Sequence, residues 1–179
     1  MRRFICAVLM CGAALLSCAQ QSSYDEGLNM LQSGNYIEAF KCFGSLAKEG
    51  NGDAQYQLGL MYLDGLGMKS NPEEAAYWFR RAARNGHALA QFEIGYCFAT
   101  GTGVQQDLRI AGEWYWRAAE QGDADAAFYL ARLYRDGVGM PRDIEKARYY
   151  YTRAAKAGIP EAEAELKDLP APAKRPRRK

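Results

Sequence analysis

The sequence predicts an all-α protein built from stacked helix pairs, an αα-solenoid, and two observations support this. First, many columns of identical or similar residues recur every 36 positions over most of the chain. Second, each period contains two stretches of apolar residues at helical spacing, separated by glycines. A repeat period between about 20 and 50 residues is typical of solenoid proteins. The clearest columns are Gly50, Gly86, Gly122 and Gly158, and Ala54, Ala90, Ala126 and Ala162.

Residues 1–17 have the pattern of an export signal. Two arginines precede an apolar run from Phe4 to Leu16, which is shorter than the ~20 residues of a transmembrane helix. The end of the run, Leu-Leu-Ser-Cys at 15–18, resembles the bacterial lipobox, which implies cleavage before Cys18 and lipidation of its thiol. Residues 18–23 then form a polar tether. We expect an exported protein, periplasmic or at the cell surface, anchored to a membrane by lipid. The alternative is ordinary cleavage after Ala19, which would release a soluble secreted protein.

Each repeat is predicted to contain a helix A and a helix B. In the first complete copy, helix A places Ala54, Leu58 and Met61 on one face. A Gly-x-Gly turn ends it, because glycine adopts left-handed backbone conformations at little cost. Helix B starts at a capping side chain, which is Asn71, Asp107 or Asp143 in successive copies. By this reading, residues 24–49 form a divergent N-terminal helix pair and residues 50–169 form three repeats with a capping helix.

The repeat resembles the Sel1-like repeat family, a 36-residue relative of the tetratricopeptide repeat. Residues 54–86, AQYQLGLMYLDGLGMKSNPEEAAYWFRRAARNG, carry the family's A-x3-LG-x2-Y, G-x-G and Ala-Ala-x2-G elements, and 90–122 and 126–158 repeat them. The resemblance implies a right-handed superhelix of helix pairs and a scaffold or adaptor role, without naming a partner. Departures are few, and Gly112 inside a helix B should weaken that helix by about 1 kcal/mol relative to alanine.

The sequence offers no set of residues with the spacing of a catalytic, metal or cofactor site. His87 is the single histidine, and its position after Gly86 favours a loop residue near a helix start over a general base or ligand. Cys42 and Cys97 occupy helix columns and are predicted to be small core residues, with a disulfide between them left open. The glycine pairs lack the Gly-Lys-Ser/Thr of a phosphate loop. We therefore predict that the protein is not an enzyme and needs no cofactor or metal.

A partner-binding groove is predicted on the A helices, because the family resemblance places these helices on the concave face. One inward column holds Tyr56, Phe92 and Phe128, and a second holds Leu60, Tyr96 and Arg132. A third column holds Asp64, Thr100 and Asp136. Aromatic residues and arginine most often anchor interfaces, which favours a protein or peptide ligand. The alternative is that the aromatic column 56/92/128 packs between A helices, which leaves Arg132 as the residue best placed for exposure.

Charge is distributed unevenly. Residues 170–179 carry five positive charges and three prolines, which predicts a disordered basic tail able to touch anionic surfaces. The rest of the mature chain, 18–169, holds 16 Lys and Arg against all 21 acids, so it is about −5 and unsuited to nucleic acid. With its end capped, we expect a monomer. The predicted function is a non-enzymatic scaffold of the bacterial cell envelope. The alternatives are a secreted factor that binds host proteins and, less favoured, a cell-envelope hydrolase.

Overall fold

The computed structural model describes residues 21 and 23–171, and all regular secondary structure in that part is helical. The prediction of an all-α protein is confirmed. The predicted signal peptide, Cys18 and most of the basic tail lie outside the described residues. The chain divides into two compact units, one ending at His87 and the other beginning at Ala88.

The first unit contains helices α1 to α4 and the second contains α5 to α9. The described part of α1 covers residues 21 and 23–32. The others are α2 (Tyr36–Lys48), α3 (Gly52–Asp64), α4 (Pro72–Arg84), α5 (Ala88–Thr100), α6 (Leu108–Glu120), α7 (Ala124–Asp136), α8 (Ile144–Lys156) and α9 (Pro160–Asp168). From α2 on, helices of the same unit that follow one another in sequence pack against one another. None of the described helices is long and apolar enough to span a membrane.

Side-chain caps fix where the helices begin. Asn71, Asp107 and Asp143 each accept a hydrogen bond from the main-chain N–H three residues further on, at 3.0–3.2 Å, as predicted. These bonds satisfy donors that a helix start leaves without partners. Two caps were not foreseen. Asn51 and Asp123 cap α3 and α7 in the same way, at 2.8 and 2.7 Å.

The Gly-x-Gly turn does more than end helix A. Gly65 ends α3 in the left-handed conformation, with φ of 72°. The second glycine of the motif lies against the backbone of the preceding helix B. A Cβ added at Gly67 would lie 2.9 Å from the carbonyl carbon of Tyr36, and one at Gly139 would lie 2.5 Å from that of Leu108. Only glycine allows so close an approach, because real Cβ atoms essentially never sit under 3.0 Å from such an atom.

Within a helix pair, glycine on helix A meets an aromatic ring on helix B. A Cβ at Gly59 would lie 2.5 Å from the ring of Phe79, which is fully buried. Gly95 faces the ring of Tyr115 in the same way, at 2.9 Å. The helices that carry these rings also carry fully buried alanines, including Ala75, Ala82, Ala111 and Ala118. The small residues predicted at helix crossings therefore admit large rings between the helices.

Gly112, which the sequence marked as a weak point in α6, has a packing role. A Cβ there would lie 2.3 Å from the terminal methyl of Met140 and 3.3 Å from a methyl of Leu133. Met140 belongs to the turn before α8 and packs against the core of the second unit. The missing side chain therefore makes room for a methionine from the neighbouring turn.

The last helix is fastened to the second unit by apolar and charged contacts. α9 packs against α8 and buries Ala162 completely. Leu169, just after α9, is also buried. The guanidinium of Arg135 on α7 forms ion pairs with Glu165 of α9 and with its neighbour Asp136. This contact ties α9 to α7 as well.

Candidate protein-binding groove

The six predicted groove residues fall on both units. Tyr56 and Leu60 belong to α3 of the first unit and are half-buried. The ring of Tyr56 stacks on the imidazole of His87, with centroids 4.9 Å apart, and lies 5.9 Å from the ring of Phe79. Tyr56 therefore packs inside the first unit. The other four residues belong to the second unit.

In the second unit, a groove of about 400 Å³ contains two of the predicted residues, Tyr96 and Arg132. Both are exposed, Tyr96 to 41%. The side chains come from α5, α6, α7 and the turn that follows α7. The full lining is Tyr96, Ala99, Thr100, Leu108, Tyr115, Tyr129, Arg132, Leu133, Asp136 and Val138.

An aromatic cluster forms one wall of this groove. The ring of Tyr129 stacks on that of Tyr115, with centroids 5.6 Å apart, and lies edge-on to that of Tyr96 at 6.1 Å. Phe92 completes the cluster behind them, 5.8 Å from Tyr129. The hydroxyl of Tyr115 is buried and has no hydrogen-bond partner among the described residues, and burial raises the pKa of this phenol well above its ordinary value. Such mutually packed rings give a rigid apolar surface.

Charges of both signs stand at the rim of the groove. The hydrogen bond from Arg135 lowers the pKa of Asp136, with a further lowering from the nearby charge of Arg132. Asp136 is therefore ionised at neutral pH. The exposed guanidinium of Arg132 carries the opposite charge. The groove thus combines an aromatic wall with one anionic and one cationic group.

Phe92 and Phe128 are half-buried and pack against the core of the second unit. The ring of Phe128 lies 5.7 Å from that of Tyr151, which is fully buried. The alternative for column 56/92/128 is packing between A helices; the ring of Phe92 contacts Tyr129 on α7, another helix A, whereas that of Phe128 contacts a residue of the helix B α8. Neither lines the groove.

Sequence reasoning missed Tyr129 as a groove residue. The positions 36 and 72 residues before it hold Glu93 and Gln57, so no aromatic column marks it. Asp136 stood in the third inward column but not among the residues chosen. Val138, exposed to 43%, lies in a turn, where helical periodicity gives no signal.

The residues considered for chemistry have structural contacts. His87 Nε2 lies 3.1 Å from a carboxylate oxygen of Asp53. Cys97 is buried, the Cys42 thiol donates to the carbonyl of Ser23 at 3.1 Å, and neither cysteine forms a disulfide within the described residues. Burial raises the pKa of Cys42, which disfavours the nucleophilic thiolate. Among the described residues, no group of three or more His, Cys, Asp or Glu could hold a metal ion.

Comparison with known proteins agrees with this architecture. The sequence model described as Sel1 repeat matches four times, at residues 13–51, 52–87, 88–123 and 124–159. No curated protein matches the sequence significantly. Among solved structures, a Sel1 repeat protein from Oxalobacter formigenes is 33% identical, with a TM-score of 0.75 over 79% of this chain and 58% of that one.

Two further structures extend the comparison. A protective antigen present in uropathogenic Escherichia coli strains, displaying an SLR fold, is 31% identical. Its TM-score is 0.80 over 87% of this chain and 34% of that one. The cysteine rich protein B of Helicobacter pylori is 17% identical, with a TM-score of 0.56 over 80% of this chain and 96% of that one, and shows the fold alone. This chain spans 58% and 34% of the lengths of the two more similar proteins.

Proposed function

Because this chain belongs to the Sel1 repeat family, we propose that it is a non-catalytic scaffold that holds a segment of a partner protein in the groove between Tyr96 and Arg132. Proteins of this family are generally protein–protein interaction scaffolds. The observation that carries the proposal is the composition of the groove. It sets Tyr96 and Tyr129 beside an exposed arginine and an ionised carboxylate.

These residue types suit protein recognition. Tyrosine and arginine are enriched among the residues that contribute most to binding free energy. The tyrosines are held by one another, so little side-chain entropy is lost when a partner covers them. A groove of about 400 Å³ admits a few side chains of a partner. Arg132 and Asp136 at the rim would select a partner segment with complementary charges and favour its register.

We further propose that the protein acts in the bacterial cell envelope. The support is the residues at its N-terminus, where a charged start, a short apolar run and Leu-Leu-Ser-Cys resemble a lipoprotein signal. A lipid on Cys18 would keep the scaffold at a membrane surface. The similarity to a protective antigen is consistent with export. Metabolic labelling with a palmitate analogue, comparing wild type with Cys18→Ser, tests the anchor. Absence of label from both proteins would exclude lipidation at Cys18 and favour a secreted factor, whereas equal labelling of both would place the lipid at another residue.

Capture of partners tests the groove. Tagged wild-type protein and a Tyr96→Ala, Arg132→Glu double variant are used to purify partners from detergent-solubilised envelopes. The matched control is Tyr149→Ala, Arg109→Glu, which changes the same residue types in the same unit but outside the groove. Both control positions are exposed, Tyr149 to 55%. Circular dichroism must first show equal helix content in all three proteins.

We expect one partner to be captured by wild type and by the control, and lost with the groove variant. A partner retained by all three proteins would place its binding site outside the groove. A partner lost equally with both variants would indicate a general effect of charge, and would also count against the groove.

A further inference from the structure

A second pocket lies in the first unit and has a different chemistry. It is formed by the C-terminal turns of α4 together with residues before and within α3, and its volume is about 520 Å³. It is lined by Gly50, Gln55, Tyr77, Arg80, Arg81, Arg84 and Asn85. Three guanidinium groups thus line this pocket, and none of its described lining residues is acidic. The pocket shares no residue with the groove described above, and the inference drawn from it does not rest on the proposed function.

The arginines are arranged to meet an anion. Arg81 donates to the hydroxyl of Tyr77 at 3.4 Å, and its guanidinium lies 5.5 Å from the centroid of the Trp78 ring. These contacts orient its charge. Arg84 is exposed and forms no hydrogen bond or ion pair within residues 21 and 23–171. Like charges three residues apart on a helix repel, and an anion bound between them would remove this repulsion.

Gln55 gives the pocket an unusual polar group. Its side chain is fully buried, and its Nε2 donates to the carbonyl of Ala47 at 3.0 Å. Its Oε1 is also buried, and it accepts no hydrogen bond within the part of the chain that the structure describes. Leaving a buried acceptor without a donor is unfavourable, and such groups are rare in folded proteins. A ligand with an N–H group would satisfy it.

In the next repeat, the equivalent glutamine acceptor has a hydrogen-bond donor. Gln91 stands 36 residues after Gln55, and its Oε1 accepts a hydrogen bond from Gln121 Nε2 at 2.7 Å. The counterpart of Gln121 in the earlier repeat is Asn85, whose side chain is one methylene shorter. The shorter side chain of Asn85 therefore leaves Oε1 of Gln55 without the donor that Gln91 has.

The pocket of the first unit and the equivalent region of the next repeat also differ in charge. The counterpart of Arg84 is Glu120, which accepts a hydrogen bond from Arg153 at 2.8 Å. The position of Arg80 is taken by Trp116. An ordinary role of the arginines, favourable interaction with the C-terminal end of the α4 dipole, would apply to both repeats. It does not explain why, of these two repeats, the earlier one combines three arginines with a buried acceptor that has no donor among the described residues.

We propose that this pocket binds an acidic peptide segment of another protein. A carboxylate of the peptide is held by Arg81 and Arg84, and a peptide N–H donates to Oε1 of Gln55. An acidic peptide offers the anion and the donor at neighbouring positions, whereas a simple carboxylate offers only the anion. Tyr77, exposed to 51%, adds an aromatic wall for the aliphatic part of the peptide.

The test uses the full chain and fluorescein-labelled hexaglutamate, with binding followed by fluorescence polarisation at low salt. Two variants introduce residues from the next repeat, Arg84→Glu and Asn85→Gln. The first reverses one charge. The second keeps the charge and supplies the amide that closes the acceptor. Arg109→Glu in the second unit is the control for net charge, because Arg109 is exposed and distant in sequence. The side-chain amide signals of Gln55 are followed by NMR in parallel.

We expect saturable binding, a shift of the Gln55 amide signals, and an affinity lower by about tenfold or more in both pocket variants, equivalent to about 1.4 kcal/mol. The Arg109→Glu control and the Tyr96→Ala, Arg132→Glu groove variant should bind the peptide with an affinity within about twofold of wild type, a much smaller change than tenfold. Full binding by Asn85→Gln, or an equal loss with Arg109→Glu, would overturn the proposal. So would a shift of the Gln55 signals with inorganic phosphate but not with the peptide, which would indicate a phosphate site.

Discussion

Replacing Gly59 with alanine should destabilise the first unit, although alanine is the better helix former. Gly59 lies within α3, and its backbone is helical. A Cβ at this position would lie 2.5, 2.6 and 3.1 Å from three carbons of the Phe79 ring. Ordinary contacts between carbons are about 3.5–4.0 Å, so the ring must move by about 1 Å. Phe79 is fully buried and cannot turn into solvent.

The expected magnitude follows from two opposing terms. Alanine favours the helix by about 1 kcal/mol relative to glycine. An extra methyl group in a packed core costs about 1–3 kcal/mol, and the short contacts with a rigid ring place this case near the upper limit. The net change is therefore a loss of about 2 kcal/mol in the free energy of unfolding. For a chain of this size that corresponds to a fall in Tm of about 4–8 °C.

Gly44 provides the matched control. It also lies inside a helix of the first unit, α2, but a Cβ there would meet nothing within 4 Å. Gly44→Ala should therefore stabilise the protein by about 1 kcal/mol. Both variants are measured by urea unfolding followed by circular dichroism, with equal m-values required. If Gly59→Ala is as stable as Gly44→Ala, the helix pair is less tightly packed than the structure shows, and the reasoning fails.

Three further outcomes are expected. Asp107→Ala should lose about 1 kcal/mol of stability in urea unfolding, because its carboxylate caps two main-chain N–H groups of α6; an unchanged midpoint would contradict this. Asp136→Asn should reduce the acid sensitivity of thermal unfolding. Arg135 lowers the pKa of Asp136, so its stabilising contribution is present above pH ~4 and is lost as pH falls below that; parallel pH profiles for variant and wild type would refute it. Tyr115→Phe should reduce the loss of stability that accompanies a rise of pH into the alkaline range. Burial raises the pKa of this phenol, so the folded state loses stability as pH rises above ~10. At pH 7 the substitution should cost little stability, since the hydroxyl has no hydrogen-bond partner in the described part of the chain; a loss above about 1 kcal/mol would contradict this.

The fold was accessible from the sequence because its determinants are local and repeated. The caps at Asn71, Asp107 and Asp143 follow from residue type and position alone, and the structure shows their hydrogen bonds. The 36-residue period fixed the alternation of helices. Gly112 shows the limit of this reasoning. Its helix propensity could be estimated from the residue type, but its contact with Met140 depends on the path of a turn 28 residues further on.

The residues of the groove could be predicted only in part, for a related reason. Tyr96 and Arg132 were chosen from their columns, and both line the groove of the second unit. Tyr129 was missed because exposure on a helix face depends on how the neighbouring helix is rotated, which a column of dissimilar residues does not reveal. The pocket around Gln55 was missed because it depends on a difference of one methylene between Asn85 and Gln121. Periodicity emphasises what repeats share, whereas binding sites arise where one copy differs.

The close approach of Gly67 to Tyr36, and of Gly139 to Leu108, affects how further repeats can be added to such a chain. In both places the distance between one helix pair and the preceding one is set by main-chain atoms, with no side chain between them. This contact between consecutive helix pairs therefore does not depend on the residues at the exposed faces. A duplicated copy of 36 residues would join its neighbours by the same contact, while its surface could acquire a new ligand by substitution. Gene duplication can thus lengthen this protein and diversify its binding without changing the main-chain contact between consecutive helix pairs.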